Sequence, residues 1–370
     1  MTGRDARRDA AFWAVAAAST AAAAVWLTRH MSLLQWDNDE GLFAMVGLAV
    51  ADGHRLYADA WIDHPPGTSH LLAAAFEAFG ATLPVARGAT LALTLPGLLG
   101  VAALARRLGG RTAGLAAIPL VVLAPHFFWL SRSINQDLPS MALGVCAVAA
   151  VWRAADGGRR AWLALGGLVL GLGLSLKLSP VVCAAPLACL LGVRAYRSAA
   201  AGGWAVTAPP ARAGLARDAI AAAVPLAAVV GAWFLTGPPA KVAYGVFGTI
   251  AAARDAFPDR SAEYADWLVR ENLLGENLGL TLLAAAGLAW LARRRPADAA
   301  VMTAWCAATG WSLVTQRPMW PKHHWSLVLW PLGILAGVGL AAAARAAIGG
   351  WRLPWRRRGG EGGGGPARAR

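Results

Sequence analysis

Charged residues are scarce in this chain of 370 residues. They make up 15% of it, while hydrophobic residues make up 57% and the mean hydropathy is +0.49. A typical soluble domain has about 25% charged residues, so this excess of apolar residues is too large for a soluble core. The apolar residues also form repeated runs of about 18–22 residues, enough for a helix to cross about 30 Å of hydrocarbon. The sequence therefore predicts an all-α integral membrane protein, a polytopic bundle of spanning helices.

Cysteine is scarce too, and the signatures of several common enzyme classes are missing. The four cysteines, Cys146, Cys183, Cys189 and Cys306, lie inside apolar runs with no metal-ligand spacing and no disulfide framework. The sequence contains no P-loop, dinucleotide-binding fingerprint, HExxH motif or nucleophile elbow. We therefore look for a functional site in the polar loops between the apolar runs.

Basic residues outnumber acidic ones by 34 to 20, which gives a net charge of +14. They form short clusters between apolar runs, the pattern that loops on the cytoplasmic side of a membrane adopt. Neither a basic helix nor a basic groove with interleaved aromatic residues is present, so we expect no nucleic-acid partner.

The apolar runs predict about ten transmembrane helices. Their approximate bounds are 11–28, 86–105, 112–130, 138–152, 161–176, 178–193, 218–236, 278–292, 297–315 and 325–344. The first run follows three arginines but is long for the core of a signal peptide, so we interpret it as an uncleaved span. Lys177 and Pro180 interrupt one long apolar stretch, which is either two helices joined by a tight outer turn or a broken re-entrant pair.

The distribution of charge predicts the orientation of the chain. With a cytoplasmic N-terminus, the inner segments hold 23 of the 34 Lys and Arg but, with Asp218 and Asp298 at their edges included, only six of the 20 Asp and Glu. These segments are 1–10, 106–111, 153–160, 194–217, 293–296 and the chain from 345 onward. Because cytoplasmic loops collect positive charge, we predict a multi-pass protein of the inner or plasma membrane with both termini in the cytoplasm.

We divide the chain into a transmembrane domain, 1–348, and a basic tail rich in Gly and Arg, 349–370. The tail is predicted to be disordered and to touch anionic lipid. Two outer segments are too long to be simple turns. One is a first extracytoplasmic loop, 29–85, with interfacial helices, and the other is a second large loop, 237–277.

The first outer loop begins with three carboxylates in four residues, Asp37, Asp39 and Glu40. Such a group repels itself unless a metal, a basic partner or a raised pKa offsets the charge. The alternative is a solvated loop whose acids lie at a helix N-terminus, where the helix dipole stabilises them.

The same loop carries a longer pattern. It reads Asp39-Glu40-Gly41, then Gly53-x-x-Leu56-Tyr57-x-Asp59-x-Trp61, then His64-Pro65-Pro66-Gly67, then Phe79-Gly80 and Arg87. This pattern resembles the first periplasmic loop of the GT-C superfamily of membrane glycosyltransferases, especially the bacterial branch related to protein O-mannosyltransferases and lipid A aminoarabinose transferases. The family more often has Lys at the position of His64. The resemblance covers about residues 1–200.

The resemblance implies an enzyme that transfers a hexosyl or pentosyl group from a polyprenyl-phosphate donor, usually with inversion. Asp39 would be the general base that takes the proton of the acceptor hydroxyl. Glu40 would position the acceptor or tune Asp39, and Asp37 is a weaker candidate. The acceptor would be a glycan, a lipid or a protein, and membrane lipids would surround the chain.

The resemblance and the outer polar residues together give candidates for binding substrate or lipid phosphate. They are Asp37, Tyr57, His64, Arg87, Arg132, Asp137, Lys177, Arg317, Lys322, His323 and His324. Several of these have a structural alternative: Lys177 could extend to the membrane interface, Arg132 and Asp137 could form an ordinary ion pair, and 316–325 could anchor the interface. The sequence leaves a cofactor open: a divalent cation, Mg²⁺ or Mn²⁺, is one alternative, with Asp39 and Asp137 as its candidate ligands.

Two other classes compete with a glycosyltransferase. A transporter or lipid flippase usually has inverted repeats and ionisable residues near mid-membrane. Here the span interiors are almost free of charge and the acids concentrate in one long outer loop, which favours an enzyme at the interface. The third class is a catalytically inactive scaffold, although the intact Asp39–Glu40 pair argues against it.

Overall fold

The structure is a computed structural model that describes residues 3–29, 31–33, 38–203, 205–318 and 321–350. The predictions made for Asp37 and for the tail beyond residue 350 lie outside these residues.

Over the described residues the fold is all-helical, with no β-strand and one isolated bridge between Leu56 and Ala60. In chain order the α-helices are α1 (Gly3–Thr28), α2 (Asn38–Ala51), α3 (Gly67–Phe79), α4 (Leu83–Gly109), α5 (Arg111–Val122), α6 (Pro125–Leu130), α7 (Asp137–Ala155), α8 (Ala161–Leu176), α9 (Ala184–Ala201), α10 (Pro209–Ala232), α11 (Pro239–Ala243), α12 (Thr249–Ala256), α13 (Ser261–Asp266), α14 (Leu278–Arg294), α15 (Pro296–Thr315), α16 (Pro321–His324) and α17 (Ser326–Gly350). Short 3₁₀ turns at Met31–Leu33, Ser179–Cys183 and Trp233–Leu235 and π-helical segments at Tyr244–Gly248 and Trp267–Glu276 lie between them.

Six stretches of the described chain are long and apolar enough to cross a membrane. They are Asp5–Thr28, Leu83–Gly109, Asp137–Ala155, Ser179–Ala201, Pro209–Leu235 and Ser326–Ile348. A seventh is present if Ser261–Glu276 and Leu278–Arg294, bent by 96° against each other, form one span. The ten predicted spans all fall on helical segments, which confirms an all-helical bundle with several apolar helices, while the number ten stays a prediction.

The predicted span 112–130 is not one helix. It is divided into α5 and α6, which begins at Pro125. Proline has no N–H to continue the helical hydrogen bonds, and it disfavours helical backbone in the residue before it. The residue before it, Ala124, accordingly has an extended conformation, with ψ of 131°.

The geometry of α8 and α9 favours two antiparallel helices over a short re-entrant pair. At one end of α7, Lys177 after α8 binds Asp137. At the other end, Arg194 of α9 donates to the carbonyls of Ala154 and Gly158. Because α8 begins near that second end and finishes at the first, both helices extend along the length of α7. Close packing supports the arrangement, since a side chain at Gly167 would overlap the Ala222 carbonyl of α10.

The basic segments that are predicted to be cytoplasmic lie together at one end of the bundle. Arg107 in the last turn of α4 pairs with Asp156 after α7 and with Asp298 at the start of α15. In the same region Asp218 is held by both Arg160 and Arg194. The side of the membrane that this end faces stays a prediction.

At the opposite end the two long outer loops share a small hydrophobic core. Phe43 of α2, Leu72 of α3 and Ile62 between them pack with Val242 and Val246 from the second loop. The first loop is therefore a folded unit that lies above the spans and can hold polar side chains in fixed positions.

Candidate active site

Asp39 lies in the first turn of α2, at the outer end of the bundle. Its side chain is 55% exposed, and its Oδ2 is 3.8 Å from Nδ1 of His323. The positive end of the helix dipole stabilises a carboxylate there. An accessible carboxylate beside an imidazole can accept a proton from a bound hydroxyl group.

Glu40, the neighbour of Asp39, is buried and binds Arg87 through both carboxylate oxygens. Arg87 Nε is 2.8 Å from Oε1, and Nη2 is 2.6 Å from Oε2. Glu40 Oε1 also accepts from the backbone N–H of Ile134 at 2.7 Å, and Arg87 donates to the Met31 carbonyl. A bidentate pair of this kind is strong and geometrically specific.

The burial of this pair changes the interpretation of both residues. Glu40 was expected to position the acceptor or tune Asp39, and Arg87 to bind substrate or lipid phosphate. Their side chains are only 2% and 0% exposed. The pair instead joins the start of α2 to the start of α4 and to the 131–136 loop. It therefore holds Asp39 in place.

Asp137 and Lys177 form a second buried pair. Lys177 Nζ is 2.6 Å from Asp137 Oδ2, and the Ser179 hydroxyl donates to Oδ1 at 3.0 Å. Asp137 is buried at the N-terminus of α7, while the Lys177 side chain keeps 18% exposure. The ammonium group is thus held at a buried carboxylate and is still accessible to a ligand from the outer side.

The two adjacent histidines face different neighbours. His323 contacts Asp39, and its Nδ1 is 3.3 Å from the side-chain nitrogen of Asn135. His324 is buried, with Nε2 3.0 Å from the Gln316 side-chain nitrogen. Burial, with a smaller contribution from the charge of Lys177, lowers the pKa of His324 to about 3. A neutral His324 therefore lies beside the Asp137–Lys177 pair at physiological pH.

His64 and Tyr57 belong to the same surface of the first loop. His64 Nδ1 is 2.8 Å from Asp63 Oδ1, and the buried Tyr57 hydroxyl donates to the His64 carbonyl. The hydrogen bond from His64 holds the pKa of Asp63 below its usual range, and Lys177 contributes to this shift. Tyr57 thus positions His64 through its hydroxyl group.

Arg132 and Arg317 hold parts of the outer end together. Arg132 donates to the carbonyls of Leu27 and Arg29 at 3.1 and 2.6 Å, and so caps the end of α1. Arg317 pairs with Asp259 and joins the last outer loop to the second large one. The predictions for Asp37 and for the Lys322 side chain lie outside the described residues.

Four contributors were missed by sequence reasoning: Asp63, Asn135, Ser179 and Gln316. Asp63 is the one with a visible signal, because it immediately precedes the His-Pro-Pro-Gly turn. The other three are ordinary polar loop residues, and only their positions in space bring them to the site.

The described residues do not fit a divalent cation well. No group of three or more His, Cys, Asp or Glu among them is arranged to hold a metal ion. Asp137, one of the two expected ligands, already accepts from Lys177 and Ser179. We derive no step through a metal.

Comparison with known proteins identifies the fold class. The family model for dolichyl-phosphate-mannose-protein mannosyltransferases matches residues 63–205. A comparison with curated protein sequences gives no match. The family match and the structural neighbours confirm the resemblance to the GT-C superfamily.

Three solved structures illustrate the likeness. ArnT from Cupriavidus metallidurans bound to undecaprenyl phosphate has a TM-score of 0.67 and 20% identity, over 92% of this chain and 61% of its own. Arabinosyltransferase EmbB from Mycobacterium smegmatis has a TM-score of 0.62 and 16% identity, over 90% and 30%. The oligosaccharyltransferase AglB from Archaeoglobus fulgidus, in complex with an inhibitory peptide and a dolichol-phosphate, has a TM-score of 0.55 and 14% identity, over 90% and 52%. This chain thus spans about three fifths of the ArnT chain and less of the other two.

Proposed function

We propose that this chain is a membrane glycosyltransferase that transfers a hexosyl or pentosyl group, with inversion, from a polyprenyl-phosphate carrier to a glycan, lipid or protein acceptor. The observation that carries the proposal is the outer cluster of Asp39, His323 and the buried Asp137–Lys177 pair. It puts an accessible carboxylate and a partly accessible ammonium group at one end of a GT-C fold.

The chemistry divides between these groups. Asp39 takes the proton of the acceptor hydroxyl as its oxygen forms a bond to the anomeric carbon. The bond from that carbon to the carrier phosphate breaks at the same time, and the phosphate leaves with the electron pair. Lys177 is the cation that would offset its charge, and the imidazole groups of His64 and His323 would donate hydrogen bonds to the phosphate.

The proposal includes a location. The outer cluster would face the extracytoplasmic side of the inner or plasma membrane, with both termini in the cytoplasm, because the opposite end carries the arginine-rich segments. The carrier would enter from the bilayer and the acceptor from the aqueous side.

The test is turnover of a defined donor by protein in nanodiscs, with polyprenyl-phosphate mannose, glucose or arabinose supplied in turn. We expect Asp39→Asn to lower turnover at least about 100-fold, since general-base catalysis contributes about 10²–10⁴-fold. Asp52→Asn is the matched control, an exposed carboxylate in the same loop. If Asp39→Asn keeps full turnover, Asp39 is not the general base. If the unaltered protein turns over none of the donors, the proposed activity is wrong.

Metal dependence belongs to the same assay. The superfamily resemblance suggests Mg²⁺ or Mn²⁺, while the Lys177 ammonium group at Asp137 is a cation already in place. Loss of turnover with EDTA that either ion restores would support a metal enzyme. Unchanged turnover with EDTA would support charge stabilisation by Lys177.

A further inference from the structure

A cleft of about 440 Å³ lies beside the cluster, between the first outer loop and the start of the second. Its lining consists of Tyr57, Ala58, Asp59, Ala60, Trp61, Ala240, Lys241 and Tyr244. Only Tyr57 among these was a candidate for the site, and its hydroxyl points to the His64 carbonyl. The rest of the cleft has no part in the chemistry proposed above.

The walls of the cleft are held rigidly. Tyr57 is buried in a left-handed conformation, with φ of 62°, which a non-glycine residue adopts only where its surroundings enforce it. The second loop packs tightly on this turn: a side chain at Gly245 would meet the Tyr57 ring, and one at Gly237 would meet the Leu56 carbonyl. A cleft that is formed before its ligand arrives loses little ordering entropy on binding.

Two aromatic rings form an exposed surface in the cleft. Trp61 and Tyr244 are 44% and 55% exposed, and their ring centroids are 6.0 Å apart. An edge-to-face contact with Tyr57 holds the Trp61 ring in place, and the two ring centroids are 6.1 Å apart. Such rings offer an apolar face with a polar edge, which suits a ligand with both kinds of surface, such as a sugar ring.

The charge in the cleft is positive. Asp59 is neutralised by Arg55, whose backbone N–H and guanidinium group donate to Oδ2 at 3.0 and 3.3 Å. Those contacts also lower the pKa of Asp59, so it stays an anion paired with Arg55. Lys241 forms no ion pair with any residue that the structure describes. Its ammonium group is thus available to a ligand at the edge of the aromatic surface.

We propose that this cleft binds an acidic saccharide, with a sugar ring on Trp61 and Tyr244 and its carboxylate or phosphate group at Lys241. Tyr57 connects the cleft to His64, so a saccharide bound here extends from the Asp39 cluster. The cleft is then the acceptor subsite of the glycosyltransferase, an assignment that rests on the proposed function. An anionic lipid headgroup has the same charge but lacks the ring.

The experiment measures binding without turnover, so it is independent of the enzymatic assay. Protein in phosphatidylcholine nanodiscs is titrated with tetragalacturonic acid and, separately, with maltotetraose, by calorimetry and saturation-transfer NMR. We expect the acidic tetramer to bind and the neutral one to bind at least about tenfold more weakly. Trp61→Ala and Lys241→Gln should each weaken the acidic tetramer at least about tenfold, whereas Trp129→Ala and Arg254→Gln, exposed residues outside the cleft, should not.

Each other outcome overturns the proposal in its own way. If the neutral tetramer binds as tightly as the acidic one, Lys241 does not recognise an acidic group. If neither tetramer binds, the ligand of the cleft is not a saccharide. A third arm replaces phosphatidylcholine by phosphatidylglycerol. If neither tetramer binds in either lipid, while saturation-transfer NMR detects the phosphatidylglycerol headgroup and Lys241→Gln removes that signal, the cleft holds a headgroup. If the donor is turned over but no saccharide binds, the proposed glycosyltransferase activity is correct and the assignment of the acceptor subsite is wrong.

Discussion

At the scale of single residues, the outer end depends on two buried ion pairs, Glu40–Arg87 and Asp137–Lys177. Burial of two charges is costly, and the pair is stable only while both partners are present. The two pairs differ in their function. The first is closed on all sides and supports the loop, whereas the second keeps part of its ammonium group accessible.

This difference predicts the stability of variants of the second pair. Lys177→Met leaves the Asp137 carboxylate buried without its cation, and we expect a loss of about 3–5 kcal/mol in the free energy of unfolding. Asp137→Asn leaves the Lys177 ammonium group without its carboxylate partner. The double variant should recover much of that loss, because neither charge is then left unpaired. Unfolding of the four proteins in matched detergent gives the coupling energy, and additive losses would contradict the pairing.

At the scale of helices, the sequence predicts where each element lies but not how elements meet. Apolar runs gave bounds within a few residues for α8 and α15, since each run has a length fixed by the bilayer. Pro125 explains why the predicted span 112–130 is divided into α5 and α6. Proline alone does not predict such a break, because Pro96 lies inside the continuous helix α4. The 96° bend before Leu278 has no marker in composition.

Close helix contacts predict a specific effect of small substitutions. Gly167→Ala places a methyl group into the Ala222 carbonyl, so α8 and α10 must separate, and we expect a loss of about 1–3 kcal/mol. Gly192→Ala on α9 is the control, because a side chain there meets nothing within 4 Å and alanine favours the helix. The midpoint of thermal unfolding should fall for the first variant only. Equal midpoints would mean that the helices adapt without cost.

At the scale of the whole molecule, charge separates the two ends in the way that the sequence predicted, and distant residues meet in the site. The pairs Asp137–Lys177 and Glu40–Arg87 join residues 40 and 47 positions apart. The resemblance and the position of all four residues in outer polar segments made them candidates. The sequence could not show which carboxylate meets which cation, since that depends on the packing of α2, α4, α7 and α8.

The stability of the molecule in acid follows from buried His324. Its pKa falls from 6.5 to about 3 on folding, so between these values the unfolded chain binds a proton that the folded chain does not. The free energy of unfolding therefore decreases as the pH falls below 6.5, by at most about 2 kcal/mol at pH 5. His324→Gln should flatten this dependence of unfolding on pH, while the exposed His54→Gln should not. An unchanged slope in His324→Gln would show that other groups cause it.

The hydrogen bond from Tyr57 to the His64 carbonyl joins the two ends of the 57–64 segment. Residues 57–64 carry the wall of the aromatic cleft at one end and the His64 imidazole of the proposed active site at the other. This short stretch of chain therefore acts as a spacer of fixed length. In a transferase built this way, the position on a saccharide chain at which the new sugar is added is set by the protein and not by the depth of the carrier in the bilayer.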